Sequence, residues 1–261
     1  MTARRVLRDG DGRALAEYVE GVRSGRPWAD ALTVLEGTGI DAVVEAVRAR
    51  LGGWLVSSSD EIGLRLVADG AIKFRHAHVY TWDLSASPPD GAWAEPKLVD
   101  GLTLVPAHER EPADLVGAWM TAYRPGHPDN PNGVTRETAR EQLATLINGI
   151  SLGPLLPCSV VIQDGARPVA ACLVNGRQGE PPLGGPWIAE VFRDADPAYA
   201  GLGTVALKAA VGRAARDGLA SVGLAVTEGN PARATYEKAG FVHAESSTTV
   251  LIPERRRDSA E

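Results

Sequence analysis

Three side chains in this sequence combine useful chemistry with a telling neighbourhood. Tyr236 lies in the run VTEGNPARATYEKAGF, residues 226–241, on a helix that starts at Pro231 and closes at Gly240-Phe241. Its phenol, with an ordinary pKa near ~10, keeps its proton at neutral pH and can donate it in a reaction. Asn230 stands at the junction of strand and helix, with an amide that can both donate and accept. Glu190 is the charged residue of the otherwise apolar run WIAEVF, residues 187–192, where a carboxylate needs a partner or a task. A fourth feature is backbone rather than side chain. In DPAYAGLGTV, residues 196–205, Gly201 and Gly203 let the chain come close to a ligand just where a helix begins. The unsatisfied amides and positive dipole end of that helix suit a phosphate.

Other residues compete for roles. His127 and Asp129 sit in the Pro-rich stretch RPGHPDNPNGV, residues 124–134, and are alternatives to Glu190 as a base or ordinary turn residues. His76 and His78, in RHAH, face one side of an expected strand. No Cys, Asp or Glu lies at ligand spacing beside them, the next being Asp83, so no metal site is expected. His243 reads as a hydrogen-bonded sheet residue, with the substrate cleft as the alternative. Cys158 and Cys172 are flanked by apolar residues and read as core, since a thiol nucleophile wants an electropositive, accessible setting.

These residues need elements to position them. Leu102–Val105 reads as a strand, Pro112–Tyr123 and Thr135–Ile147 as helices with apolar residues at helical spacing, Thr135 serving as an N-cap. Cys158–Ile162 and Pro168–Val174 read as a hairpin closed by DGAR, and Trp187–Phe192 as a further strand. Gly203–Arg216 is a helix, Ser221–Val226 a strand, Pro231–Ala239 a helix, and the chain is extended from Phe241. The order β-α-α-β-β-β-α-β-α-β over residues 100–252 predicts one mixed sheet with helices on both faces. Residues 85–97, SASPPDGAWAEPK, read as a linker.

Earlier in the chain, residues 40–50 and 60–68 read as helices, 54–56 as a short apolar strand and 72–84 as extended. This helix-strand-helix-strand order matches residues 203–250 at an offset of about 170, with Gly70 on Gly240 and Val56 on Val226. Glu36-Gly37-Thr38-Gly39 could be a worn copy of the glycine turn, but Asp60 and Leu66 stand where Asn230 and Tyr236 stand. The first half therefore lacks the reactive groups, and packing, dimerisation or shaping of a substrate cleft is left to it. The expected domains are residues 1–95, an N-terminal helical segment with a degenerate partial lobe, and residues 96–261. The end ERRRDSAE reads as a solvated tail.

Composition bounds the function. The chain has 261 residues, 44% hydrophobic, with 27 basic and 33 acidic side chains and a net charge of −6. A length of this order buries roughly 70–75% of the unfolded surface, and the apolar content excludes disorder as the main state. The acidic balance argues against nucleic acid as a partner. No stretch is long and apolar enough to span a membrane and no secretory leader is visible, so a cytoplasmic protein, monomer or homodimer, is expected. Two cysteines exclude a disulfide scaffold.

The glycine turn and the Tyr236 segment together resemble the GNAT superfamily, the general-control-related N-acetyltransferases. Pro197, Tyr199, Gly201 and Gly203 carry the first motif; Asn230, Ala234, Tyr236, Glu237, Lys238, Gly240 and Phe241 carry the second. Ala200 departs from the usual Arg or Gln, and Val205 from the usual Gly or Ala, narrowing the approach to a phosphate. The resemblance implies a GNAT-like mixed central sheet flanked by helices, with a smaller GNAT-like partial lobe at the N-terminus as a pseudo-tandem. It implies acetyl-CoA as co-substrate and a small-molecule amine as acceptor, joined by direct attack in a ternary complex. By position, main-chain groups of Val191 and Phe192 would meet the pantetheine arm. The turn Ala200, Gly201, Leu202, Gly203 and Thr204 would hold the pyrophosphate, and Asn230 would bond the pantetheine. Tyr236 would protonate the leaving thiolate and Glu190 would act as base. The alternative is a non-catalytic acyl-CoA-binding or regulatory protein.

Overall fold

A computed structural model of the chain describes residues 4–179 and 181–254. The expected tail lies outside the described residues except for Glu254. The chain divides into two compact units: residues 1–78 with 245–261, and residues 79–244. This is not the 95/96 border expected from the sequence. The first unit recovers the end of the chain, and two strands pass from one unit into the other.

The first unit opens with three strands, β1 (Arg4–Arg8), β2 (Ala14–Arg23) and β3 (Arg26–Val34). A helical segment was expected here, and the structure corrects it. Ser24 and Gly25 have φ of 50° and 71°. A two-residue turn with both φ positive matches strand twist, so it folds β2 back onto β3 as a hairpin. Then follow α1 (Ile40–Arg50), β4 (Leu55–Ser59), α2 (Asp60–Ala68) and β5 (Ile72–Asp83), of which the part up to His78 belongs to this unit. The last strand of the chain, β11 (Val242–Leu251), returns its residues from Glu245 onward. The sheet order is β1-β2-β3-β4-β11. Val43, Val44 and Val47 of α1 and Ile62 and Leu66 of α2 bury against Leu15, Leu32, Val56 and Val250. Strand β4 is paired along its length, parallel to β3 and antiparallel to β11 from Leu55↔Leu251 to Ser59↔Ser247.

The second unit contains β6 (Leu102–Pro106), α3 (Pro112–Ala122), α4 (Arg136–Ile147), β7 (Val160–Asp164), β8 (Arg167–Arg177), β9 (Gly185–Arg193), α5 (Leu202–Arg216), β10 (Ser221–Thr227) and α6 (Ala232–Ala239). Its sheet runs β5-β10-β9-β8-β7-β6. Strand alternation explains its two buried faces. Val160, Ile162, Cys172, Val174 and Ile188 pack with α5 and α6, whereas Val161, Ala171, Leu173 and Phe192 pack with α3 and α4. Thr135 caps α4 by accepting from the Thr138 amide at 3.1 Å.

Residues 85–97 are not a free linker. Asp90 caps a short 3-10 turn, Gly91–Ala94, and Arg213 of α5 donates to the Ala94 carbonyl at 3.1 Å. The Trp93 ring meets Trp82 edge-on at 5.8 Å and lies under Lys208. Two aromatic contacts and a buried Ala94 outweigh the turn-forming composition of this stretch.

Candidate active site

The site begins with one extra residue in β9. Leu173 of β8 faces Glu190 and Val174 faces Ile188, so Ala189 is unmatched. Such a bulge bends the strand that carries it. The parallel ladder of β9 with β10 is accordingly short: Gly223↔Trp187 and Leu224↔Ile188. Glycine at 223 permits this contact, since a Cβ there would stand 2.9 Å from the Trp187 ring. Beyond residue 188 the two strands part, and residues 189–191 of β9 become partly accessible in the middle of the sheet.

At the far end of β9 a tight turn leads into α5. Asp194 is buried, pairs with Arg167, and accepts from the Asp196 amide at 3.0 Å. Asp196 caps Ala198 at 2.9 Å, and the Tyr199 hydroxyl donates to Asp164 at 2.9 Å. Gly201 then takes φ 84°, a left-handed conformation costly for residues with a Cβ, and becomes the N-cap of α5. The Ala200 amide donates to Pro197 and the Thr204 amide to Gly201, so they are engaged. The amides of Gly201, Leu202 and Gly203 form no such backbone bond among the described residues. A Cβ at Gly201 would meet nothing within 4 Å, and one at Gly203 only the Arg193 side chain at 3.9 Å. The space over the turn is open, as a phosphate cradle requires. Val205, in the first turn of α5, is half-buried and packs against the core of this unit.

Helix α3 supplies a wall that sequence reasoning missed. Trp119 and Tyr123 are four residues apart on one helical face, their rings 4.8 Å between centroids. Trp119 donates from Nε1 to Glu190 Oε2 at 3.3 Å, and the Tyr123 hydroxyl donates to the Val191 carbonyl at 3.2 Å. Burial pushes the Tyr123 phenol well above its usual range, with the nearby Glu190, Tyr236 and Asp129 adding to the shift. The His127 ring meets Tyr123 edge-on at 4.9 Å. The i, i+4 spacing of two aromatics ahead of a Pro-rich loop was the available signal.

From the other side of the sheet come α6 and the end of β10. Tyr236 is 9% exposed, and its hydroxyl makes no hydrogen bond among the described residues. Burial pushes its phenol up, as do Cys172, Asp129 and Glu190. Asn230 accepts from the Ala232 amide at 2.9 Å and donates from Nδ2 to Asp129 at 2.8 Å. Asp129 also accepts from the Thr227 hydroxyl. Glu237 has a structural use: it accepts from Tyr80 at 2.6 Å and from Arg233 at 3.0 Å, and these donors hold its carboxyl low.

No protein-family model and no curated protein matches this chain. Solved structures do. A GCN5-related N-acetyltransferase from Sphaerobacter thermophilus is 18% identical, with TM-score 0.60 over 97% of this chain and 82% of its own. A tandem GNAT protein from the clavulanic acid biosynthesis pathway is also 18% identical, with TM-score 0.60 over 97% and 84%. A GCN5-related N-acetyltransferase from Kribbella flavida is 17% identical, with TM-score 0.55 over 95% and 88%. The chain has the GNAT fold.

Within the second, GNAT-like unit the expected residues fall into two groups. Glu190, Val191, Asp129, Asn230 and Tyr236 gather around the opening between β9 and β10, joined by Trp119, Tyr123 and Thr227. Phe192 is buried with its side chain on the α3 face, and the turn Ala200–Thr204 stands at the head of α5. His243 is exposed on β11, edge-on to Tyr80 at 5.4 Å, away from this group. Burial raises both thiols, Cys158 to about 12. In the first unit Asp60, distant in sequence, comes within 2.9 Å of His76 Nε2, and His78 Nδ1 meets Ser246 at 2.8 Å. Spacing arguments could not have found either partner. No helix among the described residues is long and apolar enough to cross a membrane.

Proposed function

We propose that this chain is an acetyl-CoA-dependent N-acetyltransferase acting on the primary amine of a small molecule. The observation that carries the reading is the opened edge of β9 past Ala189, which lies between a glycine turn with unused amides and a buried, unpartnered phenol. An extended arm can add to such an edge as a strand does. Acetyl-CoA would supply the thioester. The amides of Gly201, Leu202 and Gly203 would hold its pyrophosphate, and the main chain at Val191 and Phe192 would align the pantetheine arm.

The chemistry then balances through two side chains. Glu190, oriented by Trp119, accepts a proton from the acceptor ammonium. The amine nitrogen forms the new C–N bond as the C–S bond breaks, and Tyr236 gives its proton to the departing sulfur. The raised phenol keeps that proton in place across neutral pH. The acidic balance of the chain suits a cationic acceptor.

A second reading, coenzyme binding without catalysis, is favoured by exposed Ala200, which offers no side-chain donor at the turn. Thiol release from acetyl-CoA, followed across a panel of small amines, separates the two. Amine-dependent release supports the transferase. Coenzyme binding with no release for any amine favours the second reading.

A further inference from the structure

We propose that Asp129 is an internal competitor for the coenzyme, a strap whose carboxylate holds the polar groups on the β10 side of the opening. The proposal rests on the acyltransferase reading above. Asp129 belongs to the loop between α3 and α4, and α3 packs on β8 and β9. Its carboxylate reaches the opposite side of the gap. Thr227, the last residue of β10, donates to one oxygen, and Asn230 Nδ2 donates to the other at 2.8 Å. The other end of the Asn230 amide is taken by Ala232, so both ends of this side chain are already engaged. The ladder between β9 and β10 ends at Ile188↔Leu224, so an arm entering along β9 passes beside these same residues.

The strap is built to release without unfolding its loop. The loop backbone has its own anchors: Asn130, itself buried, donates from Nδ2 to the Tyr123 carbonyl at 2.7 Å and from its amide to His127 at 2.8 Å. The Asp129 amide donates to His127 Nδ1 at 3.1 Å. The Asp129 side chain is 28% exposed, so rotation out of the gap returns the carboxylate to water. A ligand that needs Thr227 and Asn230 must first displace two hydrogen bonds to a charged acceptor, which are stronger than neutral ones.

Acetyl-CoA binding to the intact chain and to the Asp129→Ala and Asp129→Asn variants, measured by calorimetry, tests this. Thermal unfolding of each free variant establishes that it folds. The expected result is about tenfold tighter binding for Asp129→Ala, with Asp129→Asn between it and the unaltered chain, because one charge-assisted contact is worth about a factor of ten. Equal or weaker binding by a folded Asp129→Ala protein overturns the strap and leaves the acyltransferase reading standing. No binding by any of the three overturns both.

Discussion

The run β1-β2-β3-α1-β4-α2-β5 has the same order of elements as β7-β8-β9-α5-β10-α6-β11, yet the two differ where chemistry would occur. In the first run the strand after the first helix, β4, is bonded along both edges. Polar side chains in and beside it are bonded to one another: Trp28 donates to Ser57, Ser57 meets Thr249 at 2.8 Å, and Asp60 at the head of α2 accepts from Thr248 at 2.7 Å. In the second run the corresponding strand, β10, keeps a parallel ladder of two pairs with β9 and then parts from it. The second unit also has α3 and α4, and α3 with the loop that follows it brings Trp119, Tyr123 and Asp129 to the gap. One order of elements thus gives a closed sheet or an open one. A one-residue bulge is common to both, between Ala29 and Leu32 of β3 and at Ala189 of β9, so what flanks the strands makes the difference.

The sharpest way to break this contrast is at Tyr236. Replacing it with Phe should lower kcat by about 10²–10⁴-fold, the usual scale for a general acid, while acetyl-CoA affinity is kept. Leu66, its counterpart in α2, is fully buried, so Leu66→Ala should cost about 2–5 kcal/mol of stability and leave turnover per folded molecule unchanged. Steady-state kinetics beside thermal unfolding reads both. Wild-type turnover in Tyr236→Phe would remove the proton-donor role. Next is the glycine turn: Gly203→Asp should weaken acetyl-CoA binding at least about tenfold by setting a carboxylate against phosphate. Gly39→Asp, at the N-cap of α1, should leave affinity alone and stabilise the protein by a few tenths of a kcal/mol. Comparable losses of affinity in both variants would contradict the contrast.

The smaller effect concerns the closed unit. Burial alone would raise the Asp60 carboxyl, but hydrogen bonds from Thr248 and His76 together outweigh it and hold the group below its usual range. A depressed carboxyl contributes stability that is present above the unfolded value of about 3.9 and is lost as pH falls through the lower folded value. Asp60→Asn should therefore cost about 1–2 kcal/mol near neutrality and flatten the acid limb of stability against pH. An unchanged acid limb would show that these bonds contribute nothing to folding.

Much of this was readable from residues alone. The alternation in residues 158–174, the N-cap at Thr135 and the glycines around α5 locate the second unit's elements within a few residues. The three N-terminal strands are hard to read in the sequence because Ser24-Gly25, a hairpin turn by its conformation, lies between Arg23 and Arg26 without an apolar alternation to mark it. The trapped stretch 85–97 was missed because its order comes from Trp93 and Arg213, tertiary contacts that composition does not encode. At the site, Tyr236, Glu190 and the glycine turn were legible through residue type. The Trp119 and Tyr123 wall, the Thr227 contact and the bulge at Ala189 depend on register and on helices folding over the sheet, which spacing does not reveal.

The central claim is that the chain holds one coenzyme cleft, in the unit where β9 and β10 part. Calorimetric titration with acetyl-CoA tests it through stoichiometry. The account predicts one equivalent bound per chain. Two equivalents, or none, would contradict it.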